Sequence, residues 1–190
     1  MSVFTAANQL TLLRMFLVPV FVLCMLYGWP GWALVTFAVA GLTDALDGFF
    51  ARRSAPTTLG AWLDPMADKL LVAAMFVMLT LPGIGLSQRL PLWLTVVVLS
   101  RDIAIILTVA IVNLAIGQRT FRPSPLGKLA TVVYLVTGVI ALYANYRREP
   151  MMLVTVAVYT ALAVTLASAV HYVFLVSRGT AAEIRRPSST

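Results

Sequence analysis

Six stretches of mostly apolar residues follow one another along the chain, and a short group of turn-forming or charged residues separates each from the next. They cover residues 9–27, 32–50, 59–81, 91–116, 124–146 and 151–176. A helix of about 20 residues is long enough to cross the hydrocarbon core of a bilayer. Because lipid offers no hydrogen-bond partners to an open backbone, such segments must be helical. The pattern therefore predicts six transmembrane helices.

Turn-forming residues mark the connections between these stretches. The first connection is Gly28-Trp29-Pro30-Gly31, and the third begins with Pro82 and Gly83. Such residues are typical of short helix–helix connections, so we expect consecutive helices to be antiparallel neighbours. No internal repeat or second domain is visible. The sequence predicts an all-α integral membrane protein, a six-helix transmembrane bundle with a cytoplasm-facing polar cavity over residues 1–178, followed by a polar C-terminal tail over residues 179–190.

The composition favours lipid over water as the natural solvent. Hydrophobic residues make up 61% of the chain and charged residues 11%, against about 25% charged residues in an ordinary soluble domain. The net charge is +7, but the basic residues lie between the apolar stretches, which indicates membrane topology and not nucleic-acid binding. With the N-terminus inside, ten basic residues lie near inner helix ends and three in outer loops. We predict cytoplasmic termini in a prokaryotic inner membrane.

The acidic residues carry more information than the cysteine or the histidine. Cys24 is the only cysteine, which excludes an intramolecular disulfide, and the lone His171 is more typical of helix packing than of catalysis. Five of the seven acidic residues, in contrast, fall inside predicted helices. A carboxylate there is costly unless it is paired, so it marks a functional site by default. These five are Asp44, Asp47, Asp64, Asp68 and Asp102.

Four of these aspartates lie at the facing ends of the second and third predicted helices. Asp44 and Asp47 are three residues apart, and Asp64 and Asp68 are four apart, so each pair occupies one helix face. The short connection lets the four carboxylates converge, and they cannot all stay ionised without compensating positive charge. Arg52 and Lys69 are the close basic candidates, and divalent cations are the simpler source of that charge. Ligation by oxygen alone favours Mg²⁺, Mn²⁺ or Ca²⁺ over zinc.

Small residues and an arginine accompany the aspartates. Gly48 and Gly60 remove side chains where a ligand must approach the backbone closely. Arg52 can bind a phosphate through two hydrogen bonds. Metals, glycines and an arginine at a membrane surface together indicate a diphosphate held at the interface.

The stretch from Asp44 to Asp68 resembles the signature of the CDP-alcohol phosphatidyltransferase family. That signature is D-x-x-D-G-x-x-A-R, a short gap, then G-x-x-x-D-x-x-x-D. All eight fixed positions are present here, as Asp44, Asp47, Gly48, Ala51, Arg52, Gly60, Asp64 and Asp68. The six-helix plan also fits the family, so the resemblance covers nearly the whole chain.

The resemblance implies transfer of a phosphatidyl group from CDP-diacylglycerol to an alcohol, with release of CMP. It implies that Asp44, Asp47 and Asp64 hold two divalent cations, Mg²⁺ or Mn²⁺, against the CDP diphosphate. Asp68 would contact the second cation and act as the general base for the acceptor hydroxyl. The nucleotide pocket would be shaped by Gly48, Ala51, Arg52 and Gly60. The resemblance also implies a homodimer.

The acceptor alcohol is less strongly indicated. The N-terminal pattern Asn8-x-x-Thr11-x-x-Arg14 resembles both phosphatidylglycerophosphate synthases, which use glycerol 3-phosphate, and mitochondrial-type cardiolipin synthases, which use phosphatidylglycerol. The phosphatidylglycerophosphate synthases carry extra cations where this chain has Val109 and Ala130. The sequence therefore favours phosphatidylglycerol. Acceptor or lipid phosphate contacts are predicted at Arg101, Arg119, Arg122 and Lys128, although Arg101 beside Asp102 could equally be charge compensation.

Two other classes of function stay open at this point. Intramembrane carboxylates are also what a divalent-cation transporter would use, although here four of them cluster at one membrane face instead of along a pore. A catalytically silent structural subunit is the other alternative, but it would not need every position of the motif. Binding of CMP or of the nucleotide lipid would separate an enzyme from both.

Overall fold

The computed structural model describes residues 6–50, 58–116 and 125–184, and all regular structure in them is helical. Six helices are present, as the sequence predicted, and most of their ends fall close to the predicted ends. Only α6 is clearly longer, because it includes the first residues of the predicted polar tail. The helices are α1 Ala6–Leu26, α2 Pro30–Phe50, α3 Thr58–Thr80, α4 Leu92–Ile116, α5 Pro125–Arg147 and α6 Met152–Ile184.

The conformational freedom of Gly28 explains the sharp turn between α1 and α2. The Gly28 amide donates to the Met25 carbonyl at 3.1 Å, and the Trp29 amide donates to the Cys24 carbonyl at 2.8 Å. These two bonds form a Schellman cap, which requires a left-handed residue after the helix. Gly28 supplies it with a φ of 70°. α2 then begins at once with Pro30, because proline suits the first turn of a helix.

A Schellman cap also ends α5, but its left-handed position is occupied by Arg148 instead of a glycine. The Arg148 amide donates to the Asn145 carbonyl at 3.2 Å, and the Glu149 amide donates to the Ala144 carbonyl at 3.3 Å. Arg148 takes the left-handed conformation, with a φ of 56°. An L side chain pays a steric cost there that glycine avoids.

Three connections meet at one end of the bundle. A cavity of about 210 Å³ is lined by residues of the α1–α2 turn, the α3–α4 loop and the α5–α6 turn, including Gly28, Gly85 and Arg148. Asn145 accepts a hydrogen bond from the Gln88 amide at 3.0 Å and donates to the Gln88 carbonyl at 2.8 Å. We call this end, formed by residues 27–29, 81–91 and 148–151, the connection end. The motif lies towards the opposite end.

The buried core of the described residues takes side chains from all six helices. α1 packs extensively on both α2 and α3, whereas α2 and α3 contact each other only slightly. Phe21 of α1 and Phe37 of α2 pack with ring centroids 5.8 Å apart. α3 approaches α5 closely, since a Cβ at Gly138 would lie 2.7 Å from the Met75 Cε atom. Small residues at such crossings are typical of membrane helix packing.

The outer surface of the bundle is apolar. Large hydrophobic side chains face outwards on every helix, among them Phe16, Trp32, Leu114 and Phe174. Within the described residues, Leu126–Arg147 and Met152–Tyr172 are long and apolar enough to cross a membrane, and Thr11–Leu26, Pro30–Thr43 and Lys69–Thr80 are shorter apolar helical stretches. Soluble proteins rarely expose apolar patches of this kind. The surface therefore suits lipid.

Candidate active site

The four motif aspartates lie in regular helices that run in opposite directions. The backbones of Asp44 and Asp47 belong to the last turns of α2, and those of Asp64 and Asp68 belong to the first half of α3. Gly48 and Gly60 also lie in these two helices. The predicted positions Ala51 and Arg52 lie outside the described residues, and the description of the aspartates extends only to their backbone.

Distance along the helix axes relates the four positions to one another. Counted from Pro30 and Thr80 at 1.5 Å per residue, Asp44 lies about 21 Å and Asp68 about 18 Å from the connection end. On the same scale Asp47 and Asp64 both lie about 25 Å from it. The antiparallel helices therefore carry the carboxylate residues at two matched depths.

Arg14 lies at the same depth on the helix between them. It is about 18 Å from the α1 end at Leu26, and α1 packs on both motif helices. Its side chain is 1% exposed, and Thr11, one turn earlier, is also buried. A buried guanidinium introduces positive charge beside the two helices that carry the aspartates. The sequence signal for this was the single arginine in the first apolar stretch, which the motif does not include.

A network of charges lies one residue beyond Asp68. The Lys69 Nζ atom is 3.3 Å from Asp102 Oδ2, which joins α3 to α4. The Arg101 Nη1 atom donates to Asp102 Oδ1 at 2.6 Å. Arg101 also donates through Nη2 to the Ser168 hydroxyl of α6. The Arg101 side chain is 9% exposed and that of Asp102 is 19% exposed, so both charges are largely removed from solvent.

Neighbouring contacts carry the network on to α5. The Tyr134 and Thr165 hydroxyls lie 2.7 Å apart, which joins α5 to α6. The Tyr134 ring meets Phe76 of α3 edge to face, with centroids 5.6 Å apart. The circuit thus returns to the helix where it began. We call it the contact ring, formed by Lys69, Phe76, Arg101, Asp102, Tyr134, Thr165 and Ser168.

The four predicted acceptor contacts have different surroundings. Both Nη atoms of Arg101 are engaged by Asp102 and Ser168, which corresponds to the charge-compensation interpretation of the sequence, while its Nε atom is buried without a hydrogen-bond partner. Lys128 is exposed in the first turns of α5. Arg119 and Arg122 lie outside the described residues. An acceptor role for all four stays a prediction.

The donor chemistry fits divalent cations, although the described side chains form no metal site by themselves. Among them there is no group of three or more His, Cys, Asp or Glu residues that could hold a metal ion. The side chains of the four motif aspartates fall outside that description. Four carboxylates carried by α2 and α3 would make an all-oxygen donor set, which hard cations such as Mg²⁺ and Mn²⁺ prefer.

Sequence reasoning missed the partners that make the charges tolerable. Ser168, Thr165 and Tyr134 are polar residues in otherwise apolar helices, and no motif marks them. Lys69 directly follows Asp68, and its pairing with Asp102 crosses between two helices. Lone polar residues in apolar helices were the available signal, because such residues are usually satisfied by a partner on a neighbouring helix.

Curated relatives have two kinds of activity in their names. The chain is 36% identical over 178 residues to the "Probable phosphatidylglycerophosphate synthase" of Mycobacterium tuberculosis (strain CDC 1551 / Oshkosh), covering 88% of this chain and 79% of the relative. It is 39% identical over 140 residues to the "Cardiolipin synthase (CMP-forming)" of Streptomyces coelicolor, covering 68% and 60%. It is 40% identical over 107 residues to the human protein of the same name, covering 55% and 34%.

The family assignment depends on the length of the match. The family model described as CDP-alcohol phosphatidyltransferase matches residues 4–173, which include all six helices at least in part. The Mycobacterium and Streptomyces relatives align with 88% and 68% of the chain. The resemblance found in the motif is confirmed, and the chain belongs to the CDP-alcohol phosphatidyltransferase family of membrane enzymes.

Proposed function

We propose that this enzyme transfers the phosphatidyl group of CDP-diacylglycerol to phosphatidylglycerol, forming cardiolipin and CMP. The observation that carries the proposal is the complete eight-residue motif in a protein of this family, with its four aspartates on the antiparallel helices α2 and α3, which both pack on α1. Its relatives are named for phospholipid synthesis, and the relative from Pseudomonas fluorescens is named for transfer from CDP-diacylglycerol to glycerol 3-phosphate. Family membership favours this enzyme over a divalent-cation transporter or a silent subunit.

The reaction is a substitution at phosphorus. The acceptor hydroxyl oxygen attacks the phosphorus that carries diacylglycerol, and a new phosphodiester bond forms. The bond from that phosphorus to the oxygen bridging the diphosphate breaks, and CMP leaves with the bonding electrons. The Asp68 carboxylate takes the proton of the hydroxyl. Proton transfer to a positioned side chain contributes about 10²–10⁴-fold to such reactions.

The aspartates are proposed to hold two divalent cations, Mg²⁺ or Mn²⁺. Asp44, Asp47 and Asp64 would supply ligands, and Asp68 would contact the second cation. When bound, the cations neutralise the diphosphate and the charge that develops on the leaving oxygen. The matched depths of the carboxylate residues on α2 and α3 support a shared site.

The nucleotide is proposed to lie where the motif removes side chains. Gly48 on α2 and Gly60 on α3 would leave room for the cytidine and ribose, Ala51 would keep that wall small, and Arg52 would bind a phosphate oxygen. Arginine suits this role because its planar fork matches two phosphate oxygens.

We further propose that all six helices cross a prokaryotic inner membrane, with the polar cavity at the motif end open to the cytoplasm. The shared connection end supports an even number of crossings with both termini on one side. The excess of basic residues at the other end supports its cytoplasmic orientation. A homodimer, as the family resemblance implies, belongs to this proposal.

Phosphatidylglycerol is favoured as the acceptor because cations are sparse where a small dianion would need them. Ala130 is fully buried in α5, at the position where phosphatidylglycerophosphate synthases resembling this chain carry a second lysine. The guanidinium of Arg101 is engaged by Asp102 and Ser168. The Streptomyces and human relatives are named cardiolipin synthases.

Glycerol 3-phosphate is the second candidate acceptor. The Mycobacterium relative, which aligns with 88% of this chain, is named a probable phosphatidylglycerophosphate synthase. In that case Arg119, Arg122 and Lys128 would hold the phosphate of the acceptor.

A transfer assay tests the proposal. Purified protein in detergent receives CDP-diacylglycerol, Mg²⁺ or Mn²⁺, and one acceptor per tube, and CMP and lipid products are followed. Cardiolipin formed with phosphatidylglycerol alone supports the proposal, and phosphatidylglycerophosphate formed with glycerol 3-phosphate supports the second candidate. No CMP with either acceptor, combined with Mn²⁺ uptake into proteoliposomes, would establish the transporter instead.

A further inference from the structure

The contact ring closes on α3 at two places. Lys69 joins α3 to α4 through Asp102, and Phe76, about two turns further along α3, packs against Tyr134 of α5 with the two rings nearly perpendicular. Between these two points the circuit runs through Arg101 and Ser168 to α6 and through Thr165 back to α5. α3 is therefore fixed from two neighbouring helices over the segment that directly follows Asp68.

Other hydrogen bonds between α3 and α4 lie closer to the connection end. Among the residues whose side chains the structure describes, they join Thr95 to the Thr80 hydroxyl and to the Phe76 carbonyl. The Thr80 and Thr95 hydroxyls are 2.6 Å apart. Towards the motif end, the 3.3 Å pair between Lys69 and Asp102 is the polar link that the described residues provide.

The charges in this link are poorly explained by stability alone. The Lys69 side chain is 38% exposed and that of Asp102 is 19% exposed, and an ion pair with this much access to solvent adds only a little to the stability of a protein. Asp102 accepts from Arg101 and Lys69 at once. Ser168 of α6 holds Arg101, Arg101 holds Asp102, and Asp102 in turn holds Lys69 of α3. A directional link of this kind defines a position more sharply than apolar packing does.

We propose that Asp102 is a positioning residue for the transfer reaction. It holds Lys69, and through Lys69 the turn of α3 that carries Asp64 and Asp68, at the depth and rotation where these carboxylates meet those of α2. Arg101 and Ser168 orient Asp102. The inference rests on the proposed function, and it assigns these residues a role in site geometry and not in contact with the acceptor.

Four variants test it. Asp102→Asn and Lys69→Met each remove one charge of the pair, the double variant removes both, and Lys69→Arg keeps the charge. Glu149→Gln is the matched control, because Glu149 pairs with Arg147 at 4.0 Å at the exposed connection end. Initial rates are measured against CDP-diacylglycerol, acceptor and Mn²⁺, and melting temperature is measured with and without Mn²⁺ and CDP-diacylglycerol.

A positioning role predicts a split between kcat and KM. Asp102→Asn and Lys69→Met should each lower kcat about tenfold or more and raise the half-saturating Mn²⁺ concentration several-fold, as a misplaced reacting group does. The acceptor KM should change less than about twofold. The double variant should be no worse than either single variant, because both break the same link. Lys69→Arg should recover most of the activity, and Glu149→Gln should behave as wild type.

Three results would overturn the inference. Wild-type kcat and Mn²⁺ dependence in Asp102→Asn would remove the role of Asp102. Losses that add in the double variant would show that Lys69 and Asp102 act separately. A defect confined to the acceptor KM would assign Arg101 and Asp102 to acceptor binding.

The melting experiment separates this inference from the proposed function. If the wild-type protein makes no CMP with either acceptor, the proposed function fails. The stabilisation by Mn²⁺ with CDP-diacylglycerol still reports the metal site. A shift that is smaller in Asp102→Asn and Lys69→Met than in Glu149→Gln then supports the positioning role, and an equal shift in all three contradicts it.

Discussion

The two ends of the bundle solve the same problem, satisfying polar groups inside an apolar protein, by different means. The connection end uses backbone caps and neutral amides, since the Asn145 side chain bonds to the main chain of Gln88 and the Gln88 side chain bonds to the main chain of Met151. The half that carries the motif uses charges instead, with Arg14 buried in α1 and Lys69, Asp102 and Arg101 linked across α3 and α4. Neutral contacts are sufficient to close the turns of the connection end. Burying charged groups costs free energy, so their presence near the motif indicates that function requires them there.

The largest expected effect is at the proposed base. Asp68→Asn should lower the transfer rate about 10³-fold or more, since the amide cannot accept the acceptor's proton, while CDP-diacylglycerol binding stays largely intact. Rates of CMP release and equilibrium binding of the nucleotide lipid would be measured together. Loss of nucleotide binding in this variant would show that Asp68 is purely a ligand.

Breaking the charged network should cost more stability than any change at the connection end. Arg101→Gln leaves Asp102 without its 2.6 Å partner and removes the bond to Ser168. Loss of one member of a buried ion pair costs about 3–5 kcal/mol when the other charge is left alone, and we expect the lower end of that range because Lys69 still lies 3.3 Å from Asp102. Thermal unfolding in detergent should show the drop. Arg147→Gln, in an exposed pair, should change stability by less than about 1 kcal/mol, and equal effects in the two variants would contradict the contrast between the ends.

A neutral substitution at the connection end should lower stability without altering catalysis. Asn145→Ala removes three hydrogen bonds, to the amide and carbonyl of Gln88 and to the carbonyl of Ala141. At about 1 kcal/mol for each bond, we expect a loss of about 2–3 kcal/mol by thermal unfolding. The kcat and the half-saturating Mn²⁺ concentration should stay at wild-type values below the melting transition. A changed Mn²⁺ dependence would show that the two ends are coupled.

The smallest effect is expected at the left-handed residue after α5. Arg148→Gly relieves the steric cost of a φ of 56° and should raise stability by about 0.5–1 kcal/mol. Gly28→Ala makes the opposite change at the equivalent position after α1, where φ is 70°, and should lower stability by a similar amount. Paired melting curves would check the signs, and a loss of stability in Arg148→Gly would mean that the Arg148 side chain contributes contacts that outweigh the strain.

Local sequence patterns were sufficient to predict the six helices and most of their ends. The length of each apolar stretch and the Gly and Pro residues between them located all six helices, because helix length in lipid and turn chemistry both depend on neighbouring residues alone. The end of α6 was placed too early, since polar residues after Gly179 extend a helix as readily as they end one. The slight contact between α2 and α3 was also missed, because α1 lies against both of them.

The sequence by itself determined the family. The order and spacing of Asp44, Asp47, Asp64 and Asp68 predict an oxygen-rich site, because a helix converts spacing directly into shared faces. Only the tertiary structure decided that Lys69 pairs with Asp102, that Arg101 reaches Ser168, and that Tyr134 closes the circuit onto α3. The physical reason is that these contacts join different helices. Their partners depend on how the helices pack, which no local pattern records.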